Sequence, residues 1–132
     1  PHSADPEVLV RAINEGEFDE LFAGIFANST VECKDYELRG TLTNEGFEFE
    51  EALVSALEKY ADPEGIRTVW IAEEWLRDVC PIEEYGITPK TSDAKIKQIA
   101  DEIEENARLD GAIVVGTASY LAYLRDNLDP TI

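Results

Sequence analysis

The fold is decided by residues 92–128, which read SDAKIKQIADEIEENARLDGAIVVGTASYLAYLRDNL. Within 92–109, apolar side chains recur every three or four residues, which predicts an amphipathic helix with Ser92 as its N-cap. The all-apolar run 112–115 predicts a short strand that is buried on both faces. This half of the chain therefore predicts a helix that leads into a central strand.

Two strand-into-helix units are predicted in the second half of the chain. The first is a strand over 66–71 that leads into a short helix over 72–79, with Trp70 and Trp75 in the core. In the second, the strand at 112–115 leads into a last helix over 118–127, for which we predict Thr117 as the N-cap.

The remaining segments complete the predicted element order. Helices are predicted over 6–15 and 17–27, a two-stranded hairpin over 29–42, and a further helix over 48–60. The stretch 80–91 contains two prolines and a glycine, and we predict that it is a loop.

These elements predict a small α+β protein of 132 residues. Their order is α-α-β-β-α-β-α-α-β-α, with about six helices packed on a small mixed sheet of three to four strands. Residues 1–5 are expected to be a frayed N-terminal lead-in, and residues 6–128 a single domain.

The charge of the chain is unusual. It has 29 acidic and 11 basic residues, which gives a formal net charge of −18 and a pI near 4.2. Proteins that bind nucleic acid directly, or anionic lipid surfaces, present basic patches, so both partner classes are excluded. No apolar run approaches the roughly 18 residues that a membrane span requires.

The residue inventory excludes several kinds of catalytic site. The chain has one histidine, His2, so Ser-His-Asp and Cys-His nucleophile machinery and histidine-based zinc sites are excluded. Glycine-rich phosphate-binding loops and EF-hand spacing are absent from the sequence. We therefore expect that the protein is not an enzyme and needs no metal or cofactor.

One catalytic alternative has a named set of residues. Glu32-Cys33-Lys34 has the carboxylate-x-lysine form of a nuclease superfamily in which the acid binds Mg²⁺ and the lysine steadies the attacked phosphate. Asp19 is the candidate for the second acid, although it falls in a predicted helix. A metal-dependent nuclease is thus a second alternative, against which the charge of −18 argues because it repels the substrate.

The two cysteines, Cys33 and Cys80, are not arranged in a C-x-x-C pair. The N-terminus also lacks the cationic and apolar pattern of a signal peptide. We therefore expect both thiols to be reduced and buried, and the protein to be cytoplasmic.

One stretch, Glu7 to Gly40 and especially Ala12–Asp19, Val31-Glu32 and Leu38–Gly40, covers about a quarter of the chain. It resembles the opening of NTF2-like (SnoaL-like) α+β domains. In that family two helices lead into a strand, and a polar pocket forms inside a curved sheet. Residues 92–128 depart from the pattern because they read as mostly helical where the family has long antiparallel strands. The resemblance implies a pocket function and assigns no residue to it.

Acidic residues recur on nearly every predicted element, and we interpret them as a negative surface that engages the basic cleft of a protein partner. Fixed carboxylates imitate phosphate charge and steer association, as in an inhibitor, an immunity protein, an anti-defence factor or a nucleic-acid mimic. The candidate binding residues are Glu48, Glu51, Glu73, Glu74, Glu83, Glu84, Asp101, Glu102, Glu104 and Glu105. The candidate aromatic anchors are Tyr36, Tyr60, Tyr85 and Tyr123.

The alternative is an ordinary cytoplasmic domain of a salt-adapted organism, with a small-molecule or NTF2-like pocket. High ionic strength screens the repulsion between like charges, so an acidic surface is tolerated there. Glutamate outnumbers aspartate and isoleucine is frequent, whereas aspartate and smaller apolar residues are expected in a high-salt protein. The sequence leaves the oligomeric state open.

Overall fold

The structure, a computed structural model, describes residues 11–27, 69–77 and 79–130. Residues 11–14 are helical. The elements that follow are α1 Asp19–Ala27, β1 Val69–Ile71, α2 Ala72–Trp75, α3 Pro81–Tyr85, α4 Asp93–Leu109, β2 Ile113–Val115 and α5 Thr117–Asp126. The described part is therefore mixed helix and strand, as the sequence predicts. The predicted lead-in 1–5, hairpin 29–42 and helix 48–60 lie outside the described residues.

The two described strands form a parallel pair. Their register pairs Val69 with Ile113, Trp70 with Val114 and Ile71 with Val115. Parallel strands need a long crossover connection, and here α2, α3 and α4 supply it. Both predicted strand-into-helix units thus contribute to one small sheet, which has two strands within the described ranges where the prediction was three to four.

The core lies where α1 and α4 pack against α5. Phe22, Phe26 and Tyr120 are all at most 1% exposed. The Phe26 ring packs edge-on against Tyr120 with centroids 5.4 Å apart and stacks on Phe22 at 6.2 Å. Such aromatic pairs stabilise a core beyond the area that they bury, so this cluster fixes α1 against α5.

Helix α4 confirms the prediction made from its apolar period. The predicted stripe is at most 3% exposed, and it consists of Ile96, Ile99, Ala100, Ile103 and Ala107. Ser92 is the N-cap, and its hydroxyl accepts a hydrogen bond from the Lys95 amide at 3.2 Å. No helix in the described ranges is both long and apolar enough to cross a membrane.

The predicted loop at 80–91 contains a helix, which corrects the prediction. Helix α3 begins with Pro81, a residue that suits the first helical turn because it has no amide hydrogen to leave unpaired. It ends at Gly86, whose left-handed backbone (φ +65°) is a common helix stop. Pro81 and Ile82 are buried, so the short helix is held by the core and not by local propensity.

The start of α5 also differs from the prediction. The N-cap is Gly116, with a left-handed backbone of φ +75°, and Thr117 is the first helical residue. Thr117 is 0% exposed and does not cap the helix with its side chain. A Cβ at position 116 would lie 2.9 Å from ring carbons of Phe22, so the close approach of α1 requires a glycine here.

The tryptophans lie further from the core than predicted. Trp70 is 41% exposed, and Trp75 is half-buried against the core. Helix α2 ends at Trp75, four residues before the predicted end at 79.

Candidate functional site

Six of the ten predicted binding residues are exposed in the structure. They are Glu74, Glu83, Glu84, Asp101, Glu102 and Glu105. Glu48 and Glu51 lie outside the described residues. Glu73 and Glu104 are buried, and the structure places them differently from the expectation of an exposed surface.

Acidic residues of two helices act on Tyr85 through their charges. This side chain is half-buried at the end of α3, and burial is the main reason why the pKa of its phenol is raised. The carboxylates of Glu84 and Glu102 raise the pKa of Tyr85 further. Glu84 of α3 and Glu102 of α4 therefore both lie within electrostatic range of the Tyr85 hydroxyl.

The negative charge continues around the outer face of α4. Asp101, Glu102 and Glu105 are one turn or less apart, so they span about 100° of the helix circumference. None of them, nor Glu84, forms an ion pair with another residue of the described ranges. We use the name acidic surface for five residues, which are Glu84 and Tyr85 of α3 and Asp101, Glu102 and Glu105 of α4.

Glu104 lies on the buried side of α4 and is 3% exposed. Its Oε2 accepts a 3.4 Å hydrogen bond from Nδ2 of Asn14, 90 residues away in sequence. Burial raises the pKa of Glu104 to about 7, although Thr117 and Asn14 favour the charged form and lower it. The negative charge of Asp101, three residues earlier, raises the pKa of Glu104 further, and the positive charge of Arg108 lowers it. Glu104 is thus an interior group that is about half protonated near neutral pH.

Glu73 is also an interior residue, at 5% exposure in the first turn of α2. The pKa of Tyr123 is raised by burial and then by the charge of Glu73, so that carboxylate lies within electrostatic range of the phenol where α2 contacts α5. Tyr123 packs against Phe26 with ring centroids 6.3 Å apart. Of the four candidate anchors, Tyr85 lies at the acidic surface, Tyr123 packs on the core, and Tyr36 and Tyr60 lie outside the described residues.

The residues of the nuclease alternative are not brought together by the described part. Asp19 begins α1 and is exposed, whereas Glu32 and Lys34 lie outside the described residues. Across residues 11–27, 69–77 and 79–130, no cluster of His, Cys, Asp and Glu side chains is placed to hold a metal ion. Cys80 is a free, half-buried thiol, and Cys33 lies outside the described ranges.

Comparison with protein-family models, with curated proteins and with solved structures found no significant match. The functional argument therefore rests on the acidic surface and on the side chains that the described elements bring together.

Proposed function

We propose that the protein acts by binding, with its acidic surface occupying the basic cleft of a partner protein. The observation that carries the proposal is that Glu84 and Glu102, on two different helices, both act through their charges on the half-buried Tyr85 and raise its pKa. These carboxylates extend from helices that pack on the core, so the fold sets the backbone positions from which they extend.

Like charges that have no ion-pair partner among the described residues work against the fold. Asp101 and Glu105 are one helical turn apart, a spacing at which repulsion costs a few tenths of a kcal/mol. The same array produces a field that speeds the encounter with a positively charged protein and favours one orientation of docking. The same carboxylates thus lower the stability of the fold and speed association with a positively charged partner. A group of charges that is kept in spite of its cost to stability supports a binding role.

Tyr85 adds apolar contact area and a hydrogen-bond donor to the acidic surface, and carboxylates provide neither. Tyrosine is enriched at the energetic centres of interfaces because its ring offers apolar area and its hydroxyl a hydrogen bond. A tyrosine hydroxyl is protonated at neutral pH, and the raised pKa of Tyr85 does not change this, so the hydroxyl can donate a hydrogen bond. We therefore infer that the partner presents arginine or lysine side chains around a shallow apolar contact for this ring.

The proposal covers the inhibitor, immunity, anti-defence and nucleic-acid-mimic types, which share this recognition chemistry, and places the protein in the cytoplasm. If the negative charge served only to adapt the chain to high salt, the position of each carboxylate on the surface would not matter for binding a partner.

The test is affinity capture from a lysate of the source cells, washed at low salt and eluted by a salt step. A parallel column carrying polyglutamate retains proteins that bind any acidic polymer. We expect a dominant basic protein that only the column with this chain retains, and that is released steeply as salt rises. Retention of the same proteins by both columns, or of none by either, contradicts the proposal.

A further inference from the structure

Glu104 connects three parts of the fold from the inside. It is 3% exposed on the buried side of α4, and its Oε2 accepts a 3.4 Å hydrogen bond from Nδ2 of Asn14. The Thr117 side chain of α5 acts on the same carboxyl as a second hydrogen-bonding group. Asn14 belongs to residues 11–15, which we call the N-terminal turn. This turn is thus attached to α4 through an ionisable interior group.

Ionisation of Glu104 is unfavourable in this position. The carboxyl is shielded from water, and no side chain of residues 11–27, 69–77 and 79–130 forms an ion pair with it. The two hydrogen-bonding side chains are neutral, and a pair of hydrogen bonds does not replace the full hydration of a carboxylate. A charged Glu104 therefore favours any movement that brings water to it.

The charges that act on Glu104 come from its own helix. Asp101 opposes its ionisation, and Arg108 favours it. The N-terminal turn and α5 face it with the uncharged Asn14 and Thr117. Strand β2, which also packs against α4, is entirely apolar. The two charges of α4 act in opposite directions, so burial decides the balance.

A cleft provides a route for water to this carboxyl. It has a volume of about 230 Å³ and lies between the N-terminal turn, the first half of α4 and the start of α5. Asn14 and Thr117 line the cleft, whereas Glu104 does not, so a shift of Asn14 away from α4 would open the cleft towards the carboxyl. The charged side chains of the cleft are exposed to solvent, which screens them, and they are Asp19, Asp93 and Lys97.

The N-terminal turn is the part of this arrangement that can move. Gly16, with a left-handed backbone (φ +90°), interrupts the helical residues between the turn and α1. Helix α1 is held on α5 by the aromatic cluster, and α5 is tied to the start of α4 by the ion pair of Arg125 with Asp93. The turn itself buries the smaller side chains of Ala12 and Ile13. We therefore expect the turn to leave the core at a lower cost than α4 or α5.

We propose that the N-terminal turn is a pH-controlled latch, which the neutral form of Glu104 keeps closed and its ionised form releases. Burial raises the pKa of Glu104 to about 7 in the closed state, whereas a hydrated carboxyl has its ordinary pKa of 4.5. The open state thus binds fewer protons, and opening becomes easier as pH rises from about 4.5 to about 7. The latch does not involve the acidic surface and does not depend on the proposed function.

The test is amide hydrogen exchange of the full chain between pH 5 and pH 8, with the rates corrected for the intrinsic pH dependence of exchange. The reporters are the amides of residues 15–17, which donate to the carbonyls of Arg11, Ile13 and Ala12. A helical turn is marginal in water, so these bonds break when the turn leaves the core. We expect their opening equilibrium constant to rise about fiftyfold from pH 5 to pH 8.

The amides of residues 99–103, inside α4, report on opening of the core in the same experiment. Residues 15–17 should be less protected than these at every pH, because the latch opens while the core stays folded. Equal protection of the two groups would mean that the turn opens only when the whole core unfolds, and this result overturns the proposal.

Two variants identify the group that titrates. Glu104→Gln cannot ionise, so the fiftyfold change at residues 15–17 should fall to less than about threefold. Glu105→Gln changes the neighbouring exposed carboxyl and should keep the pH dependence of the wild type. The proposal is wrong if the wild type shows no such pH dependence, or if the dependence persists in Glu104→Gln.

Discussion

Replacing Gly116 with alanine is expected to destabilise the fold by about 3 kcal/mol. Gly116 has a left-handed backbone, which costs a residue with a Cβ about 1 kcal/mol. The new Cβ would also lie 2.9 Å from two ring carbons of Phe22, a contact that real Cβ atoms essentially never make. Phe22 is 0% exposed and stacked on Phe26, so its ring can move only by disturbing the aromatic cluster.

Gly111→Ala is the control for this substitution. Gly111 has a similar backbone, with φ of +83° against +75°, but a Cβ there meets nothing within 4 Å. Urea unfolding should therefore give a loss of about 1 kcal/mol for Gly111→Ala and a clearly larger loss for Gly116→Ala. Equal losses would show that α1 does not pack against the start of α5 as described.

Glu104→Gln is expected to make the protein more stable at pH 8. The folded chain keeps the proton on Glu104 up to a pH of about 7, whereas the unfolded chain loses it near the ordinary pKa of 4.5. The folded state thus binds more protons between these values, so its stability falls as pH rises from about 4.5 to about 7 and levels off above that. The full loss is about 3 kcal/mol, and glutamine, which does not ionise, avoids it.

The measurement is the free energy of unfolding of both proteins between pH 5 and pH 8. We expect the advantage of Glu104→Gln to be under about 1 kcal/mol at pH 5 and to approach about 3 kcal/mol at pH 8. Glu105→Gln changes the neighbouring exposed carboxyl, and its effect should vary little over this range. A difference between Glu104→Gln and the wild type that does not change with pH would contradict the burial of an ionisable Glu104.

The elements that could be predicted are those whose sequence pattern and packing agree. The 3.6-residue period and the cap at Ser92 define α4, and the apolar run before Gly116 defines β2. Predictions from local sequence were wrong where tertiary contacts decide the conformation, at α3 and at the N-cap of α5. Helix α3 is held by the burial of Pro81 and Ile82, and Gly116 replaces Thr117 as the cap because Phe22 packs against it.

The candidate site could be predicted in part. The sequence indicates the acidic runs and Tyr85, but the effect of the Glu102 charge on Tyr85 depends on where the fold places α4 relative to α3. The acidic run around Glu104 predicts that this residue lies on the surface, but it is buried. Its spacing of four residues from Ala100 and three from Ala107 places it on the buried stripe, and this signal identifies it. The contact between Asn14 and Glu104 could not be predicted, because the two residues are 90 positions apart in sequence and meet only through the fold.

The central claim is that the position of the carboxylates matters, and not only their number. One variant, Glu84→Gln with Glu102→Gln and Glu105→Gln, removes three charges from the acidic surface. A matched variant, Glu15→Gln with Glu20→Gln and Asp110→Asn, removes three exposed charges from other described positions. Both change the net charge by the same amount, so any difference between them reports location alone.

The most direct measurement is the affinity of these two variants and the wild type for the salt-eluted partner protein, at low and at physiological salt. The acidic-surface variant should lose at least tenfold in affinity at low salt, and the matched variant less than about threefold. Equal losses in the two variants would contradict the account, because they would mean that only the overall charge of the chain attracts the partner.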